Sequence, residues 1–294
     1  MEKRQKIPAG TLLVSSVLLL LAQTSGAQAV SIAWHKVPGA KGLTNADKSR
    51  AAGLMNRIHS YYGCSDSVSR CLRSHPKCET ARRLAGLIVR LVRQGRTDAF
   101  IRKEVLDRAR SMHPFKIRKV SYHKEACTGD PAKALVVVAA FADFQCPFCK
   151  VVVPALKKIV ARYKGRVVLC FKHFPTQMHG KNSVMSARAA VAAARQGKFW
   201  AMFRILYHHR KQQAPARVEQ YAASIGLDMA RFKQDRDSRA TRRLVALDKR
   251  EGLKLGVKGT PTLFLDGKMW HGRKDAAELT DRIEEELVLR KGGQ

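Results

Sequence analysis

The stretch that decides the fold is the apolar run Leu135-Val136-Val137-Val138-Ala139-Ala140-Phe141, followed by Ala142-Asp143-Phe144-Gln145-Cys146-Pro147-Phe148-Cys149-Lys150. The run is continuously apolar and rich in β-branched residues, which is the pattern of a strand buried on both faces. Pro147 suits the first position of a helix, where its missing N–H has no intrahelical acceptor. Cys146 is then the N-cap, and Cys149 lies one turn further in. At the cap, the Cys146 sulfur can accept from the amides of Phe148 and Cys149, and the helix dipole adds partial positive charge. Both effects favour the thiolate, the attacking form of cysteine. A Cys-x-x-Cys taken alone also reads as half of a zinc site or as a structural disulfide. The chain has no second Cys-x-x-Cys and no His-x-His to complete a metal set, so no metal is predicted and a redox pair is the favoured reading.

Working outward, Pro147 to Tyr163 reads as a helix, with Pro154 expected to kink it. Arg166 to Phe171 is a second buried strand. A long helical stretch runs from Ser183 to about Leu247, broken near Gln213–Pro215 and at Gly226. Thr262 to Leu265 and Lys268 to Trp270 form a hairpin around Asp266-Gly267, a strong turn signal. Ala276 to Arg290 closes the chain as a helix. The order is therefore strand, helix, strand, helical insertion, hairpin, helix over residues 134–290, an α/β arrangement.

Ahead of it, residues 45–113 read as a small all-α module. Asn45 to Tyr62 carries Ala51, Leu54, Met55 and Ile58 at helical spacing. A short connection bearing Cys64, Cys71 and Cys78 follows. Glu79 to Gln94 has one apolar stripe (Leu84, Leu87, Ile88, Leu91, Val92) and ends at Gly95, a fitting C-cap. A third helix starts at Thr97-Asp98, runs to about Met112 and stops at His113-Pro114. Residues 114–133 are a linker rich in charge and turn residues. So small a module has few core residues and is expected to need disulfide staples or docking.

The quoted motif resembles the DsbA-like thiol–disulfide oxidoreductases of bacterial envelopes. The likeness extends to Gly129-Asp130-Pro131-Ala132-Lys133-Ala134, His173-Phe174-Pro175, Gln196 to Trp200 and Gly256-Val257-Lys258-Gly259-Thr260-Pro261-Thr262. It covers about Ala126 to Leu287. It implies a thioredoxin fold with a helical insertion, a periplasmic setting and no bound cofactor. In that fold a cis proline packs against the active-site pair. Pro261 fits that role, because Gly259-Thr260 precedes it and an apolar strand follows; Thr260 would then offer its backbone to an extended partner segment. The resemblance further implies disulfide formation in exported, cysteine-containing client proteins and a membrane redox partner that resets Cys146 and Cys149. A reductase or isomerase, serving cytochrome c maturation, is the alternative within enzymes. A non-catalytic basic envelope-binding protein is the alternative outside them.

Three departures bear on this reading. Family members commonly carry Glu where this chain has Ala140, so the proton relay to the inner thiol passes to Asp143, the nearest carboxylate, unless Asp143 is a solvated turn residue. The strongest oxidases have His where this chain has Phe148, so less stabilisation of the thiolate is expected. The helical module resembles, weakly and through Leu91 to Val105, the three-helix domain of cytochrome c maturation thiol proteins, but lacks their Cys-x-x-Cys. Cys64, Cys71, Cys78 and Cys127 are predicted to form two structural disulfides in any of three pairings. Cys170, inside an apolar strand, reads as a buried, inert thiol. His179 reads as a surface histidine, and Trp200 with Phe199 and Phe203 as core of the insertion.

Residues 1–29 read as a secretory signal peptide. Lys3, Arg4 and Lys6 form a basic n-region, Thr11 to Ala22 is an apolar segment too short to span a bilayer, and Gly26-Ala27-Gln28-Ala29 gives a small-residue cleavage pattern. Export makes structural disulfides plausible among the seven cysteines. The formal net charge of +33 favours acidic partners. Because Lys and Arg are scattered through both halves, no specific nucleic acid is expected, only weak attraction to anionic envelope surfaces.

Overall fold

The computed structural model describes residues 31–61 and 63–292. The expected signal peptide, residues 1–29, and Tyr62 lie outside them. Two apolar cores organise the rest. The first is built by α1 (Asn45–Arg57), α2 (Val68–Ser74), α3 (Glu79–Arg93) and α4 (Asp98–Met112). Leu54, Met55, Leu84, Ile88, Leu91 and Ile101 fill it. Three of these helices open on hydroxyl caps: Thr44 accepts from the Asp47 amide, Ser67 from Arg70 and Thr97 from Phe100. Each cap satisfies one orphan donor of a helix start. The expected connection between the first two helices is in fact α2, and α1 stops at Arg57 rather than Tyr62. The short helix α2 is too brief to show a periodicity, and its start is fastened by the Cys64–Cys71 disulfide.

The second core surrounds a four-stranded sheet of β1 (Val136–Ala142), β2 (Val167–His173), β3 (Thr262–Leu265) and β4 (Lys268–Met269), in the order β2-β1-β3-β4. β1 runs parallel to β2 and antiparallel to β3, with Ala140 opposite Phe171 and Leu263. Both long strands are buried at every position, as their unbroken apolar runs require. Between them α5 (Pro147–Ala161) crosses over and continues through Pro154. The insertion comprises five helices: α6 (Gly180–Ala194), α7 (Phe199–His208), α8 (Pro215–Ser224), α9 (Met229–Asp237) and α10 (Arg239–Lys254). Two breaks beyond those expected divide it. One follows Gly197, at φ 70°; the other is at Ser238, whose hydroxyl caps α10. In the hairpin, Asp266 and Gly267 take φ 48° and 77°, the paired left-handed conformation of a tight turn. A Cβ at Gly267 would lie 2.1 Å from the Arg118 carbonyl oxygen, so the linker seats itself on the turn only because a glycine is there.

The disulfides differ from expectation. Cys127 pairs with Cys170, and Cys78 joins neither bridge. β2 is an outer strand of the sheet, and its open edge receives the linker. Cys127 faces Cys170 there in an isolated antiparallel bridge, and the Thr128 amide donates to the Leu169 carbonyl at 2.9 Å. Cys170 is therefore a staple closing a loop of 43 residues in sequence, not an inert thiol.

The closing helix α11 (Ala276–Gly292) joins the two cores. Its Leu279, Ile283 and Leu287 pack into the second, and its acidic residues meet the helical module. Arg108, 1% exposed, lies between Glu278 at 3.3 Å and Glu285 at 3.0 Å, with Tyr61 on its Nε at 2.9 Å. Arg90 reaches Asp281 at 2.8 Å, and Arg83 reaches Glu284 at 3.4 Å. Removing one member of such a buried network strands the others without a partner. Arg108→Leu is expected to lower stability by about 3–5 kcal/mol, read as a shift in the urea midpoint. Adding Glu278→Gln and Glu285→Gln should return part of the loss.

Candidate active site

β1 ends at Ala142, and the chain turns into α5 through Asp143, Phe144, Gln145 and Cys146. The loop is held from inside. Asp143 is 2% exposed, and its carboxylate accepts from the Gln145 amide, from the Thr176 amide and hydroxyl, and from the Ser183 hydroxyl, all within 3.1 Å. His179 Nδ1 lies 2.7 Å from the same carboxylate. Asp143 is thus no solvated turn residue, and His179, with its side chain 17% exposed, is tethered rather than free at the surface. The Asp143 carbonyl accepts from the Cys146 amide at 3.1 Å. Toward Cys149 it is the Asp143 backbone that makes the hydrogen bond; the carboxylate faces Thr176, Ser183 and His179.

Three residues of the insertion, not singled out in the sequence, complete the loop. Gln213, 1% exposed, donates to the carbonyls of Leu206 and Phe144 and accepts from Ser186 and Gln145. Arg210 donates to the Gln145 carbonyl at 2.9 Å. Tyr207 is buried beneath the site, donates to the Asp143 carbonyl at 3.4 Å and hydrogen-bonds Cys149. On an amphipathic helix, a buried Tyr or Gln carries the same pattern as a core residue, so periodicity alone does not single them out. The neutral amide at Gln213 fell in a stretch that reads only as a helix break.

Cys146 sits at the N-cap of α5 with Pro147 at its first position. Opposite stands Thr260-Pro261, whose peptide bond is cis. The Cys146 thiol donates to the Thr260 carbonyl at 3.3 Å. The two cysteines are in the dithiol form and both are buried, Cys149 with no exposure at all. Their acidities are driven apart. A hydrogen bond from the Cys149 thiol is the main cause that pulls the Cys146 pKa down to about 5. Burial opposes it, while the Thr260 side chain and the amides of Cys149 and Phe148 reinforce it. Burial pushes the Cys149 thiol far above the ordinary range, and the neighbouring Cys146 adds to the effect. Phe148 therefore stabilises the thiolate through its backbone amide; its ring is 71% exposed beside the sulfur. An acidic outer thiol at the helix N-cap over a fully covered, reluctant inner one is the arrangement for stepwise thiol–disulfide exchange.

The fold and this site define a thioredoxin-type dithiol protein. Residues 122–285 match the family model described as thioredoxin, and the chain belongs to that family. A thioredoxin-like oxidoreductase from Silicibacter pomeroyi DSS-3 shares the fold, at 24% identity and a TM-score of 0.50 over 57% of this chain and 99% of that one. So does alpha-DsbA1 of Wolbachia pipientis, at 17% identity and a TM-score of 0.52 over 60% of this chain and 96% of that one. Among curated proteins, the Na(+)/H(+) antiporter NhaA 1 of Mycobacterium sp. (strain KMS) is 33% identical over 170 residues, 57% of this chain. The aligned part is 28% of that protein's length. Among the described residues no helix is long and apolar enough to cross a membrane, and no cluster of candidate metal ligands occurs.

The acidity difference has a direct readout. In the dithiol protein, iodoacetamide should label Cys146 with a rate that rises through about pH 5 and is flat above it, because the thiolate is then fully formed. An ordinary cysteine rises near pH 8.5. Cys149 should stay unlabelled throughout, as mass spectrometry of the digest will show.

Proposed function

We propose that the chain is a protein thiol–disulfide oxidoreductase of the cell envelope that forms disulfides in exported proteins through Cys146-Pro147-Phe148-Cys149. The observation that carries this is the placement of Cys146 at the α5 N-cap, against the cis Thr260-Pro261 bond, with the inner thiol and two helix-start amides directed at its sulfur and lowering its pKa to about 5. A thiolate stabilised in the dithiol state makes reduction of the pair favourable, so the disulfide state is a strong oxidant. The two structural bridges, Cys64–Cys71 and Cys127–Cys170, fit an oxidising compartment, as does the basic, then apolar, leader of the sequence.

In the cycle, a client thiolate attacks Sγ of Cys146 in the Cys146–Cys149 disulfide. Attack falls on Cys146 because Cys149 is fully covered. The enzyme S–S bond breaks, and Cys149 leaves with the electron pair and takes up a proton, which its raised pKa favours. The mixed disulfide lies beside the Thr260 carbonyl, in reach of an extended client backbone. The client's second thiolate then attacks the client sulfur, and Cys146 departs as a thiolate. A leaving thiol of low pKa leaves faster, so the acidity that makes Cys146 reactive also speeds client release. The client is oxidised by two electrons and the enzyme is left as dithiol. A membrane redox partner, itself a disulfide donor to Cys146, restores the pair.

The test is the redox equilibrium of Cys146–Cys149 in glutathione buffers, with Cys146→Ala as the silent control. A potential near about −120 mV is expected for a disulfide-forming enzyme. A value near about −270 mV would make the protein a reductase. A pair that does not titrate would remove the catalytic reading altogether.

A further inference from the structure

Beside the active site, a groove of about 430 Å³ opens between α5 and α7. Its floor is aromatic, formed by Trp200, Phe203 and Tyr207, and its walls carry Lys150, Lys157, Lys158 and Arg204. No carboxylate lines it, and none of the four cations makes an ion pair among the described residues. Elsewhere Arg83, Arg90, Arg188, Arg195 and Arg236 are each matched to an acid. Lys157 instead lies over the Trp200 ring, 5.2 Å from its centroid, an arrangement that keeps its charge at the mouth of an apolar slot. Trp200 and Phe203, expected as insertion core only, thus also face a surface cleft.

The groove is tied to the chemistry at one end. Lys150 stands one helical turn from Cys146, its amide donating to the Cys146 carbonyl at 3.2 Å, and Tyr207 touches Cys149 from below. From Lys150 the lining runs along α5 through Pro154, Lys157 and Lys158 to Ala161. At about 1.5 Å per residue, that stripe is roughly 16 Å long, the span of about five residues of extended chain. Apolar floor, unpaired cations and adjacency to the attacked sulfur together select one kind of occupant.

We propose that this groove docks an extended acidic segment of the client protein, one that alternates apolar side chains with Asp or Glu next to the cysteine exchanged at Cys146. The inference rests on the oxidoreductase reading and names its substrate preference. The apolar side chains fill the slot over Trp200 and Phe203. The carboxylates meet Lys150, Lys157, Lys158 and Arg204, which make no ion pair among the described residues.

The test uses the oxidised protein and two synthetic peptides, each with a single cysteine followed by alternating leucine and aspartate or, in the counterpart, leucine and asparagine. Mixed-disulfide formation is followed by quenched-flow mass spectrometry. The acidic peptide is expected to react about ten-fold faster at low ionic strength, in the range of charge steering, and the advantage should shrink as salt is added. Lys157→Glu with Arg204→Glu should bring the ratio of the two rates to one or below, and Lys157→Gln with Arg204→Gln should lower it. Arg243→Glu with Arg250→Glu, the same change in net charge on α10 and outside the groove, should leave the ratio as it was. Because each ratio is internal to one variant, a general loss of reactivity does not mimic the result. Equal rates for the two peptides in the unmodified protein overturn the proposal, as does a ratio that falls equally with the α10 variant, which would assign the effect to net charge alone. Reduction of the unmodified protein by dithiothreitol separates the two readings: if it proceeds while the peptides show no preference, only the groove is lost, and if it fails, the oxidoreductase reading fails with it. Binding of heparin that depends on Lys157 and Arg204, with no peptide preference, would hand the groove to polyanions and also overturn the proposal.

Discussion

The carboxylate of Asp143 is the constraint on which the site depends. A loop that carries a strand end into a helix start leaves several amides without partners, and buried amides without partners are costly. Asp143 gathers three separate segments onto one buried group: its own loop through Gln145, the stretch after β2 through Thr176, and the start of α6 through Ser183. Its carbonyl fixes the Cys146 amide. The position of the sulfur at the helix N-terminus, the reach of Tyr207 to Cys149 and the seating of the insertion over the loop all follow from that one anchor. Replacing it by an apolar residue would strand donors from three elements at once, which explains why a residue beside the redox pair is used for architecture.

The distribution of charge carries a second lesson. A net charge of +33 suggests an undifferentiated basic surface, yet much of the arginine is structural. Arg108 is enclosed by Glu278, Glu285 and Tyr61, and Arg282 lies over the Trp270 ring at 3.7 Å. The helical module is joined to α11 mainly through such pairs. A contact of this kind is specific in geometry because each charge needs its partner, while its net stabilisation is modest. Many cations have no acid partner among the described residues, and those beside α5 sit next to the reactive pair.

Much of this was legible in the sequence, for physical reasons. Long apolar runs such as Leu135 to Phe141 leave little choice but a buried strand, and Asp266-Gly267 prescribes its turn. Pro147 after Cys146 sets the helix start, so the pair could be placed without coordinates. Illegible parts were those fixed by contacts distant in sequence. Cys170 looked inert because its strand is apolar, and nothing local reveals that its edge is open to Cys127. Cys78 looked like a bridge candidate because spacing says nothing of which cysteines meet. Short helices such as α2 escape a periodicity argument, and breaks at Gly197 and Ser238 were masked by helix formers on either side. Gln213, Arg210 and Tyr207 act on the loop from another element, so only the fold brings them to it. Asp143 was visible as the nearest carboxylate, but its role depended on Thr176 and Ser183 arriving from the other side.

The absence of His at the Phe148 position predicted a weaker thiolate, and the geometry answers how the site manages without it. Three kinds of donor remain that require no particular side chain there: the amides of Phe148 and Cys149 at the helix start, the Thr260 side chain, and the inner thiol itself. The inner thiol gives the strongest of these hydrogen bonds because burial keeps it protonated. The two cysteines thus form a coupled unit: covering Cys149 raises its pKa, and its retained proton is what lowers that of Cys146. Side chains between the cysteines are then free to serve contact with the partner, and the exposed Phe148 ring beside the sulfur is suited to that use. Tyr207, reaching in from the insertion, hydrogen-bonds the inner thiol and so takes part in that coupling.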